Sequence, residues 1–257
     1  MKHSLQLEIQ TQPNDSSCGP TCLAAVYQYW GDHVDLLSLI AKIGQLDGGG
    51  TLAVQLACDA LSRGYDAEIT TYNLQLFDPT WFRVKVTDWR DFLAGKLVAQ
   101  LAAKRGRVGV DIHRLEHATE AYLRFLSLGG QIRMRALDSE LIIASLSQEI
   151  PILCGLSATY LYQEARERAT TSIPGRTSVA DDVAGDPAGH FVVLHGYDPK
   201  TGLVQLADPL HPNPMAPTNK YSAKLSRVLS AILLGIVTFD ANLLTLIPRT
   251  LREESPQ

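Results

Sequence analysis

Two apolar runs joined by a short polar turn near the carboxyl end constrain the fold of this chain more than any other feature. The first run covers residues 191–197, the turn 198–202 contains proline and glycine, and the second run covers 203–207. This pattern is typical of an antiparallel β-hairpin. We expect the residues that flank the turn, Tyr197 and Leu203, to face each other.

The register of this hairpin predicts a contact between a histidine and a carboxylate. Counting back from the turn, His190 faces Leu210, and Asp208 is its diagonal neighbour on the same face. Diagonal neighbours in an antiparallel pair are within reach of long side chains. His195 has the opposite parity and points to the other face, so we expect a core histidine with satisfied hydrogen bonds. If the hairpin has no bulge, His190 therefore pairs with Asp208.

Cys18, at the start of a predicted helix, is the candidate nucleophile. Residues 18–30 carry apolar side chains at helical spacing, and Ser16 and Ser17 are candidate caps just before them. The free N–H groups and the dipole at a helix N-terminus lower the pKa of a thiol, and the thiolate is the reactive form. A lone cysteine at a helix start is more often inert, so this assignment depends on its partners.

The other cysteines indicate core packing and a reducing compartment. Cys22 lies one turn further into the same helix, and Cys58 and Cys154 lie within apolar helix and strand patterns, so we expect all three in the core. Residues 1–8 lack the apolar stretch of a secretory signal. Four cysteines without such a signal indicate free thiols in the cytoplasm rather than disulfides.

Gln12 completes a candidate site for acyl chemistry on a thiol. In such a site a carboxylate orients an imidazole, which takes the proton of the thiol, and Asp208, His190 and Cys18 would have these roles. Attack of a thiolate on a carbonyl builds an oxyanion that needs hydrogen-bond donors already in place. The side-chain amide of Gln12 and the backbone N–H of Cys18 are the candidate donors.

These residues resemble the signature motifs of papain-like cysteine peptidases. The resemblance rests on Gln12, Cys18-Gly19-Pro20-Thr21, Gly189-His190-Phe191-Val192-Val193-Leu194 and Asp208-Pro209, and it covers roughly residues 12–72 and 130–215. The motifs are most similar to those of the bacteriocin-processing branch, whose members cut leader peptides after a double glycine. The resemblance implies one role for each site residue: Cys18 as nucleophile, His190 as base, Asp208 as the residue that orients the base, and Gln12 as oxyanion donor.

The order of the predicted elements indicates an α+β fold. Helices come first and antiparallel strands last, with a helix over about 222–234 and a strand near 243–247. The resemblance implies a papain-like fold, in which a helical half with the nucleophile helix packs on an antiparallel sheet that carries the histidine and the aspartate. We expect one domain over 1–248, with a helical insertion at about 78–128 and a polar loop at 163–189, followed by a tail at 249–257.

The resemblance implies a cysteine peptidase that hydrolyses amide bonds of a peptide or protein, with a leader peptide as one such substrate. Two alternatives stay open: an acyl transferase or deamidase with the same thioester chemistry, and a catalytically silent peptide-binding domain. Ser17 stands where many bacteriocin-processing relatives have an acidic residue. Many of those relatives are also fused to a transporter, whereas the most apolar late stretch here, 228–237, is too short to span a bilayer.

Nucleic acid, metal ions and cofactors are not expected as ligands. The net charge is −4 and the sequence has no long basic run, which argues against nucleic acid. His113-Arg114-Leu115-Glu116-His117 matches the H-x-x-E-H motif of inverted zinc peptidases. A third ligand would be a glutamate well downstream, but no glutamate occurs between Glu167 and Glu253. We therefore interpret this motif as a solvated helix face.

Overall fold

An eight-stranded sheet with helices packed on both faces forms the centre of the molecule. The computed structural model describes residues 3–43, 50–170, 178–238 and 240–253. The α-helices are α1 (Cys18–Tyr29), α2 (Leu36–Ile43), α3 (Ala53–Ser62), α4 (Trp89–Lys104), α5 (Ile112–Ser127), α6 (Ser139–Ser147), α7 (Ala158–Tyr162), α8 (Leu225–Leu234) and α9 (Arg249–Glu253). The strands are β1 (His3–Ser4), β2 (Tyr65–Thr71), β3 (Gln131–Arg133), β4 (Ile152–Ser157), β5 (Glu167–Ala169), β6 (Ser178–Ala180), β7 (Gly189–Asp198), β8 (Leu203–Ala207), β9 (Lys220–Lys224) and β10 (Asn242–Pro248).

The sheet is mostly antiparallel, with the strand order β3-β2-β10-β4-β7-β8-β9. β2 and β3 pair in parallel, and the short β1 pairs with β7. The strands next to the candidate site residues, β7 and β8, are neighbours, and β7 also pairs with β4. The prediction of an α+β fold with a mainly antiparallel sheet is confirmed.

The alternation of side chains along β7 separates two apolar clusters. Phe191 and Val193 belong to a first cluster, to which α1, α3, α4 and α5 contribute. Val192 and Leu194 belong to a second cluster, to which α6, α7 and α8 contribute. A strand that is buried on both faces is apolar at nearly every position. This burial explains why the run 191–197 is continuous in apolar character rather than alternating.

Helix α1 begins at Cys18, where the sequence predicts a helix start, and it lies close to β7. Gly19 permits this approach, because a Cβ atom there would lie 3.2 Å from the Phe191 ring and 3.3 Å from Leu56. Both distances are tighter than ordinary van der Waals contact. The start of α1 is therefore held against the strand that carries His190.

The predicted hairpin register is wrong at the turn and right further along the strands. Asp198, not Tyr197, faces Leu203. A β-bulge at His195 adds one residue to β7 and shifts the pairing back by one position. From Leu194 towards the start of β7, the residues face their predicted partners on β8. The two deviations cancel, so the start of β7 has the predicted relation to the end of β8.

The segment 78–128, predicted as a helical insertion, packs into the first apolar cluster. It contains α4 and α5, and a short 3-10 helix, Pro79–Phe82, precedes them. Leu93 and Leu97 of α4 are fully buried among the residues of that cluster. The segment therefore shares an apolar core with α1 and α3.

The polar segment 163–189 and the tail 249–257 contain more regular structure than expected. β5 and β6 pair within the polar segment, of which 171–177 lie outside the described residues. Polar side chains allow an exposed two-stranded ribbon, in which the backbone groups satisfy each other without an apolar core. In the tail, α9 follows β10 directly, and 254–257 lie outside the described residues.

The helix predicted over 222–234 begins later than expected. The residues up to 224 form β9, which pairs with β8, and α8 begins at Leu225. Pairing with a neighbouring strand overrides the local helical pattern at this point. As a result, Tyr221 lies on a strand next to β8.

Leu97→Ala is expected to destabilise the domain as a whole. The change removes a fully buried side chain and leaves a cavity, so the free energy of unfolding should fall by about 2–5 kcal/mol. Urea unfolding followed by circular dichroism and by tryptophan fluorescence should show one shared transition. Val98→Ala on the same helix, at a position that is 52% exposed, is the control and should change stability by less than about 0.5 kcal/mol. A separate transition for α4 and α5 would contradict the shared core.

Candidate active site

Cys18 is the first residue of α1 and is buried, with 7% of its surface exposed. Ser17 precedes it at the N-cap position, but its hydroxyl donates to the carbonyl oxygen of Asn14 (3.0 Å) instead of capping the first turn. The N–H groups at a helix start are donors that a negatively charged oxygen can satisfy. The start of α1 therefore presents a thiol and uncapped backbone donors side by side.

His190 and Asp208 form a buried, hydrogen-bonded pair at the ends of neighbouring strands. His190 lies near the start of β7, and Asp208 follows the last residue of β8. The distance from His190 Nε2 to Asp208 Oδ1 is 2.8 Å. The Cys18 side chain also lies within interaction range of the His190 imidazole. The structure thus brings together Cys18, His190 and Asp208.

Burial and opposite charge act against each other on the protonation of this pair. Burial lowers the pKa of His190, but the charge of the Asp208 carboxylate, its hydrogen bond and the interaction with Cys18 outweigh burial, so the net shift is upward. Burial raises the pKa of Asp208, but the charge of His190 and the hydrogen bonds to the carboxylate outweigh it, so the net shift is downward. The pair therefore favours an imidazolium beside an ionised carboxylate.

The Asp208 carboxylate accepts three further hydrogen bonds. The backbone N–H of Leu210 donates to Oδ1 (3.0 Å), and the hydroxyls of Tyr162 and Tyr221 donate to Oδ2 (2.8 and 2.7 Å). Asn219 holds the backbone, because its Nδ2 donates to the Asp208 carbonyl oxygen (2.7 Å) and its own carbonyl accepts the Asp208 N–H (2.8 Å). Neither tyrosine nor Asn219 was predicted from the sequence. If the helix predicted to begin at 222 had been started at Leu225, residues 220–224 would have been free to form a strand that contains Tyr221.

Gln12 lies on the loop before α1, and the structure shows a different contact for its amide. Its Nε2 donates to the Asn14 carbonyl oxygen (3.0 Å), while its Oε1 is buried without a hydrogen-bond partner among the described residues. The backbone N–H of Gln12 donates to the carbonyl oxygen of Pro209 (2.9 Å), which ties this loop to the residue after Asp208. A side-chain amide has two N–H donors, so one can serve a bound substrate.

His195 is a buried histidine with a satisfied ring nitrogen, as predicted. Its Nδ1 donates to the carbonyl oxygen of Leu5 (3.1 Å), and burial lowers its pKa. It lies at the bulge of β7, away from the Asp208 carboxylate.

The expectation that the other three cysteines pack in the core is confirmed. The Sγ atom of Cys22 donates to the Phe191 carbonyl oxygen (3.3 Å), and Cys58 and Cys154 are buried. Burial raises the pKa of Cys22 and Cys154, and it raises that of Cys58 to about 11. These three thiols therefore stay protonated at neutral pH.

The side chains of the H-x-x-E-H motif make contacts of other kinds. Glu116 Oε1 forms an ion pair with Arg105 (2.9 Å), and His117 Nε2 lies 3.0 Å from Gln55 Nε2. His113 is exposed. In the described part of the chain, no three His, Cys, Asp or Glu side chains are grouped so that they could hold a metal ion.

A family model matches most of the chain. The model, described as Peptidase_C39 like family, matches residues 4–226, a stretch that contains all four predicted site residues and every element from α1 to β9. No curated protein matches the chain. Within the residues that the structure describes, no helix is long and apolar enough to cross a membrane.

The two buried histidines are expected to titrate on opposite sides of the usual value of about 6.5. His190 should have the higher pKa because of Asp208, and His195 the lower one because of burial. Asp208→Asn removes the charge that outweighs burial, so the pKa of His190 should fall while that of His195 stays the same. NMR titration of the imidazole nitrogens measures both in one sample. An unchanged His190 in the variant would contradict the charged pair.

Proposed function

This chain belongs to the Peptidase_C39 like family, and on that premise we propose that it is a cysteine peptidase with Cys18 as nucleophile, His190 as base and Asp208 as the residue that orients the base. One observation carries the assignment of roles: the His190 imidazole contacts Asp208 at 2.8 Å and lies within interaction range of the Cys18 side chain. An imidazole in this position takes the thiol proton, and the resulting thiolate is the nucleophile. The family match supports the activity, and the geometry supports the roles.

The proposed reaction passes through a thioester on Cys18. The thiolate attacks the carbonyl carbon of the peptide bond, and the backbone N–H of Cys18 and the side-chain amide of Gln12 stabilise the oxyanion. The C–N bond then breaks, and His190 gives its proton to the leaving amine. Water attacks the thioester, and His190 takes a proton from that water. The C–S bond breaks, the carboxylic acid product leaves, and the thiol is restored.

We propose a peptide or protein as the substrate. The resemblance to bacteriocin-processing peptidases makes a leader peptide with a double glycine before the cleaved bond the first substrate to test. Ser17 gives the position before the nucleophile no charge, unlike the acidic residue of many such relatives. A library of peptides with and without double-glycine sites therefore tests this cleavage specificity.

Cleavage of such a library, followed by mass spectrometry, tests the proposed function. The wild type should cleave a subset of peptides, and Cys18→Ala should abolish cleavage because it removes the attacking atom. Cys58→Ala, which removes a buried thiol of α3, is the matched control and should retain activity. Gln12→Ala should lower kcat by about 100- to 1000-fold if the amide stabilises the oxyanion. Gln10→Ala, at an exposed position on the same loop, should leave kcat unchanged.

The same assay separates the alternative functions. An increase in acyl product when an amine acceptor is added would indicate a transferase. Release of ammonia from glutamine or asparagine side chains without chain cleavage would indicate a deamidase. Absence of turnover together with an unreactive Cys18 would contradict the peptidase and leave a peptide-binding domain.

Iodoacetamide at near-neutral pH is expected to modify Cys18 ahead of the other cysteines. Burial raises the pKa of Cys22, Cys58 and Cys154, so these thiols react slowly. His190→Ala should slow the reaction of Cys18, because the variant lacks the imidazole that takes the thiol proton. Mass spectrometry of the digested protein measures each site. Equal rates for Cys18 and Cys22 would refute the assignment of the nucleophile.

A further inference from the structure

Two tyrosine hydroxyls contact the oxygen of Asp208 that does not face His190. Tyr162 Oη donates to Oδ2 at 2.8 Å and Tyr221 Oη donates to the same atom at 2.7 Å. The other oxygen, Oδ1, contacts His190 Nε2 and the backbone N–H of Leu210. Asp208 is fully buried, so these groups provide the hydrogen bonds that water would otherwise supply.

We propose that Tyr162 and Tyr221 are positioning residues that hold the Asp208 carboxylate in the orientation in which Oδ1 meets His190. This inference rests on the function proposed above and adds two residues to its machinery. A carboxylate bonded through one oxygen alone can rotate about its Cβ–Cγ bond. Donors on both oxygens fix the plane of the group, and hydrogen bonds to a charged acceptor are stronger than those between neutral groups.

Tyr162 is held by a helix that also supports the start of β7. The backbone N–H of Ala158 donates to the Ala188 carbonyl oxygen (2.9 Å), and the backbone N–H of Ala188 donates to Thr159 Oγ1 (2.9 Å). α7 is therefore attached to the segment immediately before Gly189 and His190. The same short helix that places the Tyr162 hydroxyl at Asp208 also supports the strand that carries His190.

Tyr221 reaches Asp208 from the neighbouring strand. It pairs with Leu206 of β8, two residues before Asp208. Asn219, just before β9, holds the backbone of Asp208 on both sides of its peptide group. Asn219 therefore fixes the main chain of Asp208, and Tyr221 of β9 fixes its side chain.

The titratable groups that act on Asp208 come from five elements: His190 on β7, Cys22 on α1, Cys154 on β4, Tyr162 on α7 and Tyr221 on β9. Burial raises the pKa of both thiols and of both phenols. All four therefore keep their protons at neutral and acidic pH, and both phenols remain donors there. Within this set, His190 and Asp208 are therefore the groups whose charge changes when the pH is lowered.

Removal of a hydroxyl donor has a predictable effect on the carboxylate. Hydrogen bonds to the ionised form of a carboxyl group lower its pKa, so their loss raises it. Protonation of Asp208 removes the charge that keeps His190 an imidazolium beside Cys18. The reactivity of Cys18 should then decline at a higher pH on the acid side. Loss of packing alone would lower stability without moving this pH.

The test uses Tyr162→Phe, Tyr221→Phe and the double variant of the full chain. The rate of Cys18 alkylation by iodoacetamide is measured as a function of pH, with folding monitored by circular dichroism. Each single variant should move the acid-side midpoint upward by about one to two pH units, the equivalent of one hydrogen bond to a charged group. Tyr197→Phe is the control, because it removes the hydroxyl of a buried tyrosine of the second cluster that is not a partner of Asp208.

The outcomes separate the positioning role from packing and from the peptidase function. An unchanged midpoint in folded Tyr221→Phe, or an equal shift in Tyr197→Phe, would overturn the proposal. Tyr221 is only partly buried, so this variant remains a test even if Tyr162→Phe does not fold. Shifted midpoints without cleavage of any peptide would support the positioning role and refute the peptidase function. Shifted midpoints together with peptide cleavage support both the positioning role and the peptidase function.

Discussion

A fully buried carboxylate, Asp208, is the constraint on which the site and its surroundings depend. An ionised carboxylate away from water costs several kcal/mol unless it is paired and hydrogen-bonded. Its partners come from separate parts of the chain: His190 on β7, Leu210 after β8, Tyr162 on α7 and Tyr221 on β9. Asp208 can therefore be buried only when these elements are already assembled. The site forms together with the second apolar cluster and is not a property of one loop.

The proximity of His190 and Asp208 could be predicted because parity along a hairpin is a strong constraint, although the exact register could not. The turn is one residue shorter than assumed, and the bulge at His195 adds one residue back. Gly196 is the sequence signal for the bulge, since glycine within a strand often marks one. A Cβ atom at Gly196 would clash with the Gln205 side chain and would lie 2.8 Å from the His3 carbonyl oxygen. Strands β1 and β8 therefore approach β7 so closely at this position that only glycine fits.

The contacts that complete the site could not be predicted, because local periodicity does not show which distant residues share a face. Tyr162 is 46 residues from Asp208 along the chain, and nothing in its surrounding sequence points to that partner. Tyr221 lies directly before the helical pattern of 222–234, and because that pattern overlaps β9, the strand was not predicted. The same limit applies to the segment 78–128. The spacing of its apolar residues predicts its helices, but it does not predict that Leu93 and Leu97 pack into the first apolar cluster.

The packing of α1 on β7 determines where the Cys18 thiol lies relative to the His190 imidazole. Glycine within a helix costs about 0.5–1 kcal/mol relative to alanine, yet Gly19 stands in the first turn, where a Cβ atom would press on Phe191. One turn later, the Cys22 thiol donates to the Phe191 carbonyl oxygen. Both contacts hold the helix at the residue next to His190. α1 belongs to the first apolar cluster, whereas the tyrosines that hold Asp208 pack in or against the second. The distance between thiol and imidazole is therefore set by how the two clusters meet across the sheet, and a change in either cluster acts on the site through β7.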